Sequence, residues 1–400
     1  GWLYVFSFII LYLLLEACYS INDIGYWSFI TTLTSDEKRR GEILSWASVF
    51  LIASSYFVAS IAPAITASNP KENMTILGTI LIIFSFVSQL IFVLTMKERK
   101  ETLPLTQEKS RIDFLQPMKI LFSDRQLRLT TLVMFMISLA QFCVIGNSAN
   151  YFYYEYGYGG FLDSGYQGSM FSGGMVSFIF IICYGLGYLI SQICLPPLMK
   201  RYSKKKILLF SLIAMTGIYL LMFFFGFSSG NEISLFIMSF CIAFFYGLCY
   251  TIVSINTNDG VEYYQYHYHQ RKDGTIQSFR AFGVILATAG QTGVFYIFML
   301  LGGLSDINSS IAKAEAEKMS GELAFDSATS FNSYINNEII HLNDITSSMW
   351  VYRSELTILP MLLVVASVLV TVFFVKVNDE KYFDSMVHSI QKQEIQNETI

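Results

Sequence analysis

Residues 2–32 read WLYVFSFIILYLLLEACYSINDIGYWSFITT, an apolar run whose only charged members are Glu16 and Asp23. A bilayer core takes about 20 predominantly apolar residues per helix, so the run predicts a membrane span. Eight further blocks of the same kind follow, at roughly 45–66, 74–96, 128–152, 172–197, 206–228, 232–256, 279–303 and 355–376. Backbone groups in hydrocarbon must bond to one another, and a helix achieves this within one segment. The expectation is an all-α polytopic membrane protein with nine transmembrane helices.

Composition supports that class. Of 400 residues 54% are hydrophobic and only 14% charged, and the apolar residues fall in blocks, which excludes a large soluble enzyme. No span carries a nucleophile with a base, a paired-acid motif across two helices or a His-rich cluster, so an integral-membrane enzyme is not expected. The net charge of −4 is spread over loops, and nothing suggests nucleic-acid binding. Cys18, Cys143, Cys183, Cys194, Cys241 and Cys249 all lie inside spans, where they read as small apolar packing residues.

Lys and Arg in the short connections set the orientation. Alternate loops carry Lys38, Arg39 and Arg40, then a basic stretch from Lys97 to Arg125, then Lys200, Arg201, Lys204, Lys205 and Lys206, then Arg271 and Lys272. The other side holds only Lys71, Lys313, Lys318 and Arg353. The basic loops and the C-terminus are therefore expected in the cytoplasm, in a multi-pass protein of the plasma membrane. Nine spans ending inside place Gly1 outside, within an apolar run, so spans are expected upstream, odd in number for a cytoplasmic native N-terminus.

The polar stretch 97–127, with Pro104 and Pro117, reads as a cytoplasmic linker between two helix bundles. Residues 1–96 then form the remaining half of an N-terminal bundle, 128–376 a six-helix C-terminal bundle, and 377–400 a cytoplasmic tail. Residues 304–350 are rich in Ser, Asn and Ala and read as an outer surface insertion, with a lid as the alternative. The Tyr, Phe and Gly-rich connection 151–166 reads as an interfacial aromatic belt rather than a substrate vestibule.

Ionisable groups deep in a membrane are costly and default to functional candidates. Glu16 and Asp23 are seven residues apart, hence on one helix face, with Tyr19 one turn before Asp23 and Trp27 one turn after it. Later spans offer the amides Gln141, Asn147, Asn150, Gln192 and Gln291 but no deep acid or base; Arg128, Arg280, Arg353 and Glu355 fall at span ends, where snorkelling suffices. A carboxylate accepts two hydroxyl hydrogen bonds, and an indole face suits the C–H side of a pyranose. Asp23, Trp27, Tyr19, Asn147 and Asn150 are therefore the substrate-binding candidates. His267 and His269, alternating in a loop without a Cys partner, make a weak metal pair, and no metal or cofactor is expected.

Residues Cys18 to Ser28, CYSINDIGYWS, followed by Thr34 to Arg39, TSDEKR, resemble the fourth helix and following loop of the glycoside–pentoside–hexuronide:cation symporters, the melibiose-carrier family. Asp259 to Tyr263, DGVEY, with Arg271 to Ser278, RKDGTIQS, is similar to that family's loop between helices ten and eleven, and Arg353 with Pro360 to the start of its helix twelve. The resemblance implies a major facilitator fold lacking its first three helices. It further implies sugar:cation symport by alternating access, with Asp23 and Trp27 on the sugar, Ser20 as a hydroxyl ligand for Na⁺ or H⁺, with Li⁺ a further candidate, and no other cofactor. Asp36, Arg39, Asp259, Glu262, Arg271 and Asp273 would form a cytoplasmic gate. The implied partners are a small sugar or glycoside and membrane lipid, around a monomer. Where the resemblance leads to a sugar-binding Arg this chain has Ser48 or a neighbour, where it leads to a Lys it has Ile285, and Gly25 replaces a Pro. An uncoupled facilitator or a transporter-like sensor is the alternative those departures keep open.

Overall fold

A computed structural model describes residues 2–33, 37–66, 70–95, 116–160, 163, 168–227, 230–268, 273–323, 325, 328–340, 346–379, 381–383, 385–386 and 388–389. Among them there is no strand. The helices are α1 (Trp2–Leu33), α2 (Glu37–Thr66), α3 (Pro70–Thr95), α4 (Gln116–Ser123), α5 (Arg125–Tyr156), α6 (Gly173–Arg201), α7 (Lys204–Leu221), α8 (Glu232–Asn258), α9 (Gly260–Tyr268), α10 (Asp273–Leu301), α11 (Ser305–Ser320), α12 (Ala328–Tyr334), α13 (Thr346–Leu356) and α14 (Ile358–Phe374). Single turns of π-helix extend α7 through Met222–Gly226 and α12 through Ile335–Ile340.

Eight helical segments among the described residues are long and apolar enough to cross a membrane. The block at 45–66 falls on α2, whose described apolar stretch, Val49–Ala62, is shorter than a span. The last span begins at Ser347 rather than at 355, because α13 and α14 run almost end to end.

Contacts divide the chain into two units, Gly1–Ser54 with Leu77–Ile112, and Ser55–Ile76 with Asp113–Ile400. In the first unit α1 exposes nearly every described side chain, Trp2, Leu13 and Ile21 among them, a surface that only hydrocarbon solvates cheaply. Glu16 is exposed on this helix and shares a hydrogen bond with Tyr12 four residues earlier.

The second unit is a packed bundle, and α5 touches α6, α8, α10, α13 and α14. Asp124 caps α5, its carboxylate accepting from the Gln126 and Leu127 amides at 2.7 and 3.1 Å. Helices α6 and α8 approach through small residues, the usual way membrane helices maximise dispersion contact. A Cβ on Gly187 would stand 2.2 Å from the Phe240 carbonyl oxygen, and Ser239 donates its hydroxyl to the Phe180 carbonyl at 2.9 Å. Between α13 and α14 the backbone leaves helical geometry at Thr357 (φ −126°). Pro360 has no N–H to return to the Leu356 carbonyl, so the break is written in the sequence.

At the end away from Lys200, Arg201 and Lys204, residues 305–340 lie over the connection after α5. Asn336 clamps the backbone of Tyr158 in both directions, accepting from its N–H at 2.7 Å and donating to its C=O at 3.1 Å. The Tyr158 hydroxyl donates to Glu315 at 2.6 Å, and Asn332 donates to Asp163 at 2.7 Å. Burial, with Glu315 beside it, pushes the Tyr158 hydroxyl well above its ordinary pKa and keeps it a neutral donor. The aromatics of the connection are therefore not belt residues: Tyr151, Phe152, Tyr154, Tyr156 and Tyr158 are buried, paired with one another and with the insertion. The described residues of the insertion are thus packed against this connection.

Candidate functional site

Cys143, Asn147, Tyr151 and Glu155 recur every four residues along α5 and so share one face, which packs on α13. At the inner part of this stripe Asn147 is buried and bonded on both sides. Its Nδ2 donates to Glu355 Oε1, and its Oδ1 accepts from Gln291 Nε2 of α10 at 2.5 Å. Gly146 makes room for that amide, since a Cβ there would fall 2.7 Å from Gln291 Nε2. Glu355 is 0% exposed, and its Oε2 has no hydrogen-bond partner among the described residues. Tyr352 donates to the Asn147 carbonyl at 3.4 Å and also hydrogen-bonds Asn150.

Nearer the end of α5 the same stripe carries an ion pair. Arg353 reaches Glu155 at 2.7 Å and donates Nε–H to the Tyr151 hydroxyl at 2.7 Å, while that hydroxyl donates to Glu155 at 3.1 Å. The guanidinium lies 5.1 Å from the Trp350 ring, so charge, hydrogen bonds and cation–π contact all hold it in one place.

A second polar layer lies deeper on α5. Tyr246 donates to Gln141 Oε1 at 3.0 Å and Gln141 Nε2 donates to the Tyr56 hydroxyl. Tyr56, Tyr184, Tyr188, Tyr246 and Tyr250 form a ring-to-ring cluster with centroids 5.9–6.4 Å apart. Gly185 admits Tyr56, because a Cβ there would lie 2.8 Å from that side chain. Arg280 on α10 lies within electrostatic reach of Tyr250.

The basic end closes differently. Lys204 pairs with Asp259 at 3.0 Å, and Gln126 clamps the chain after α14, donating to the Phe374 carbonyl at 3.2 Å and accepting from the Lys376 N–H at 3.0 Å. Asn256 bonds Asn378 at 3.0 Å, and Lys205 pairs with Asp379 at 3.0 Å, which holds that carboxylate below its ordinary pKa.

Among the expected site residues, Asn147 and Asn150 come together against α13. Tyr19 is exposed on α1. The side chains of Asp23, Trp27, Ser20, Arg39 and Asp273, and the whole of Asp36 and Arg271, lie outside the described residues. Asp259 finds its partner, Lys204, within its own unit, and Glu262 stands half-buried on α9. Two readings are corrected: Glu355 is a deep acid, and Arg353 is a paired interior residue rather than a snorkelling one. The four-residue spacing from Cys143 to Glu155 and the Pro360 break were the signals available for both.

A sequence-family model described as MFS/sugar transport protein matches residues 2–321, most of the chain. No curated protein sequence matches it.

Proposed function

The chain belongs to the MFS/sugar transport protein family, and on that premise we propose that it carries a small sugar or glycoside across the plasma membrane by alternating access, in symport with a cation. The observation that carries this reading is Asn147. An amide fixed by Gln291 and Glu355, beside a broken helix, offers a donor and an acceptor at defined positions to vicinal hydroxyls. Asn150 and the tyrosines beside Gln141 extend the polar and aromatic surface a sugar needs.

In this reading Asp23 and Trp27 supply the carboxylate and indole contacts, Tyr19 flanks them, and Ser20 is a ligand for Na⁺, H⁺ or Li⁺. The subfamily is that of the glycoside, pentoside and hexuronide symporters. The basic end faces the cytoplasm, where Asp36, Arg39, Asp259, Glu262, Arg271 and Asp273 take part in closure. The cation compensates the charge of the binding acids and the sugar takes up their hydrogen-bonding capacity; joint occupancy permits the inward–outward exchange, and either ligand alone leaves one of these unmet. Ile285, exposed on α10 where the symporter pattern leads to a Lys, favours a second reading, an uncoupled facilitator or sensor.

Binding of labelled glycosides to the purified full chain tests the site. A hydrogen bond to a charged group contributes roughly 1.5–3 kcal/mol, so Asp23→Asn should weaken the bound glycoside about 10- to 100-fold, and Asn147→Ala by less. Unchanged affinity in both variants removes these residues from the site.

A further inference from the structure

Glu355 is the one wholly buried carboxyl named so far that has no cation against it. Its own helix offers Tyr352, and Arg353, which is committed to Glu155 and Tyr151. Helix α5 offers Cys143, a thiol at 0% exposure, and Asn147. Helix α10 offers Gln291; its charged residues, Asp273 and Arg280, are eleven or more residues away, about 16 Å along the helix. Helix α14 contains no charged residue.

Neither simple state of the carboxyl is satisfied by these neighbours. As an anion it receives one hydrogen bond, from Asn147, and no counter-charge, in surroundings where an unpaired charge is expensive. As a neutral acid it would leave the Oε2 proton without an acceptor among the described residues. A carboxyl poised between two imperfect states is suited to exchange its proton. The stripe Asn147, Tyr151, Glu155 leads from it, in steps of four residues or about 6 Å, to a pair that is 14–15% exposed and so reaches water.

We propose that Glu355 is a proton-binding site, loaded from the end of the bundle closed by the Arg353–Glu155 pair and coupled to the substrate through Asn147. Loading adds one proton from water to Oε2 and converts the carboxylate to the neutral acid; unloading returns that proton to water. A sugar hydroxyl that takes the Asn147 Nδ2–H away from Glu355 removes the hydrogen bond that favours the anion. Sugar binding therefore raises the proton affinity of Glu355, and by reciprocity proton binding tightens the sugar. The second half of this statement rests on the transport reading of Asn147, whereas the proton site itself does not.

Infrared difference spectra of the purified full chain, acidic minus alkaline and without any sugar, test the site directly. The expected result is a protonated-carboxyl C=O band that disappears as pH rises, is absent in Glu355→Gln and persists at a shifted position in Glu355→Asp. If Glu355→Gln does not fold, ¹³C-labelling of glutamate assigns the band in the wild type, and its loss from the glutamate-labelled set in Glu355→Asp replaces the missing comparison. A band unaffected by these substitutions, or a Glu355 band that does not change between acid and alkaline pH, overturns the proposal. Labelled glycosides should then move the titration of the band to higher pH in the wild type and leave it unmoved in Asn147→Ala. A band that titrates but responds to no glycoside upholds the proton site and counts against the sugar reading alone.

Discussion

Lys204–Asp259 at one end of the larger unit and Arg353–Glu155 at the other are both short ion pairs in largely buried surroundings, and each end adds an amide that clamps a backbone in both directions, Gln126 or Asn336. The difference lies in what stands behind each pair. Behind Lys204 the polar contacts run sideways, to Asn256, Asn378 and the chain that follows α14. Behind Arg353 lies a second polar group, Asn147 with Glu355, on the same face of α5, linked to the pair by Tyr352, whose ring meets Tyr151 and whose hydroxyl donates to the Asn147 carbonyl. One end is built as a fastening, and the other as a fastening at the head of a polar stripe.

That contrast predicts unequal costs. Breaking a buried ion pair by removing one partner costs about 3–5 kcal/mol, and Arg353→Ala should lie at or above the top of that range because it also leaves the Tyr151 hydroxyl and the Trp350 face without the guanidinium. Lys204→Ala should lie near the bottom. Denaturant unfolding in detergent reads the order, and a larger loss for Lys204→Ala breaks the comparison. A smaller effect is expected from Asn336→Ala, which leaves the buried N–H and C=O of Tyr158 unpaired at about 1–3 kcal/mol. Faster hydrogen exchange at the Tyr158 amide, with residues around Lys204 unchanged, is the local signature; equal acceleration at both ends would mean that the cover and the strap unfold together.

Hydropathy was enough to locate eight of the nine expected spans, because a helix in lipid is specified mainly by length and apolar content. It also found Asn147 as a polar residue deep in a run. It misplaced Glu355 for a specific reason. Residues 346–354 contain Thr, Ser, Tyr and Arg and look like loop, so the last block seemed to begin at Glu355, at a water boundary. The structure continues the helix outward through those residues, which moves the boundary, and it packs the acid against Asn147 of α5, which buries it. Tyr151 to Tyr158 were misread on the same ground, since an aromatic cluster at a span end looks alike whether it meets headgroups or a cover. Glu16 shows the converse. It lies well inside an apolar run yet is exposed on α1, with Tyr12 as its hydrogen-bond partner.

Counterflow is the most direct test of transport. The full-length chain in proteoliposomes preloaded with unlabelled glycoside should accumulate the same glycoside in labelled form, transiently and above its external concentration, and Asp23→Asn should abolish the overshoot. A correctly folded wild-type protein that shows no overshoot with any glycoside, pentoside or hexuronide tried would contradict the assignment of this chain as a sugar carrier.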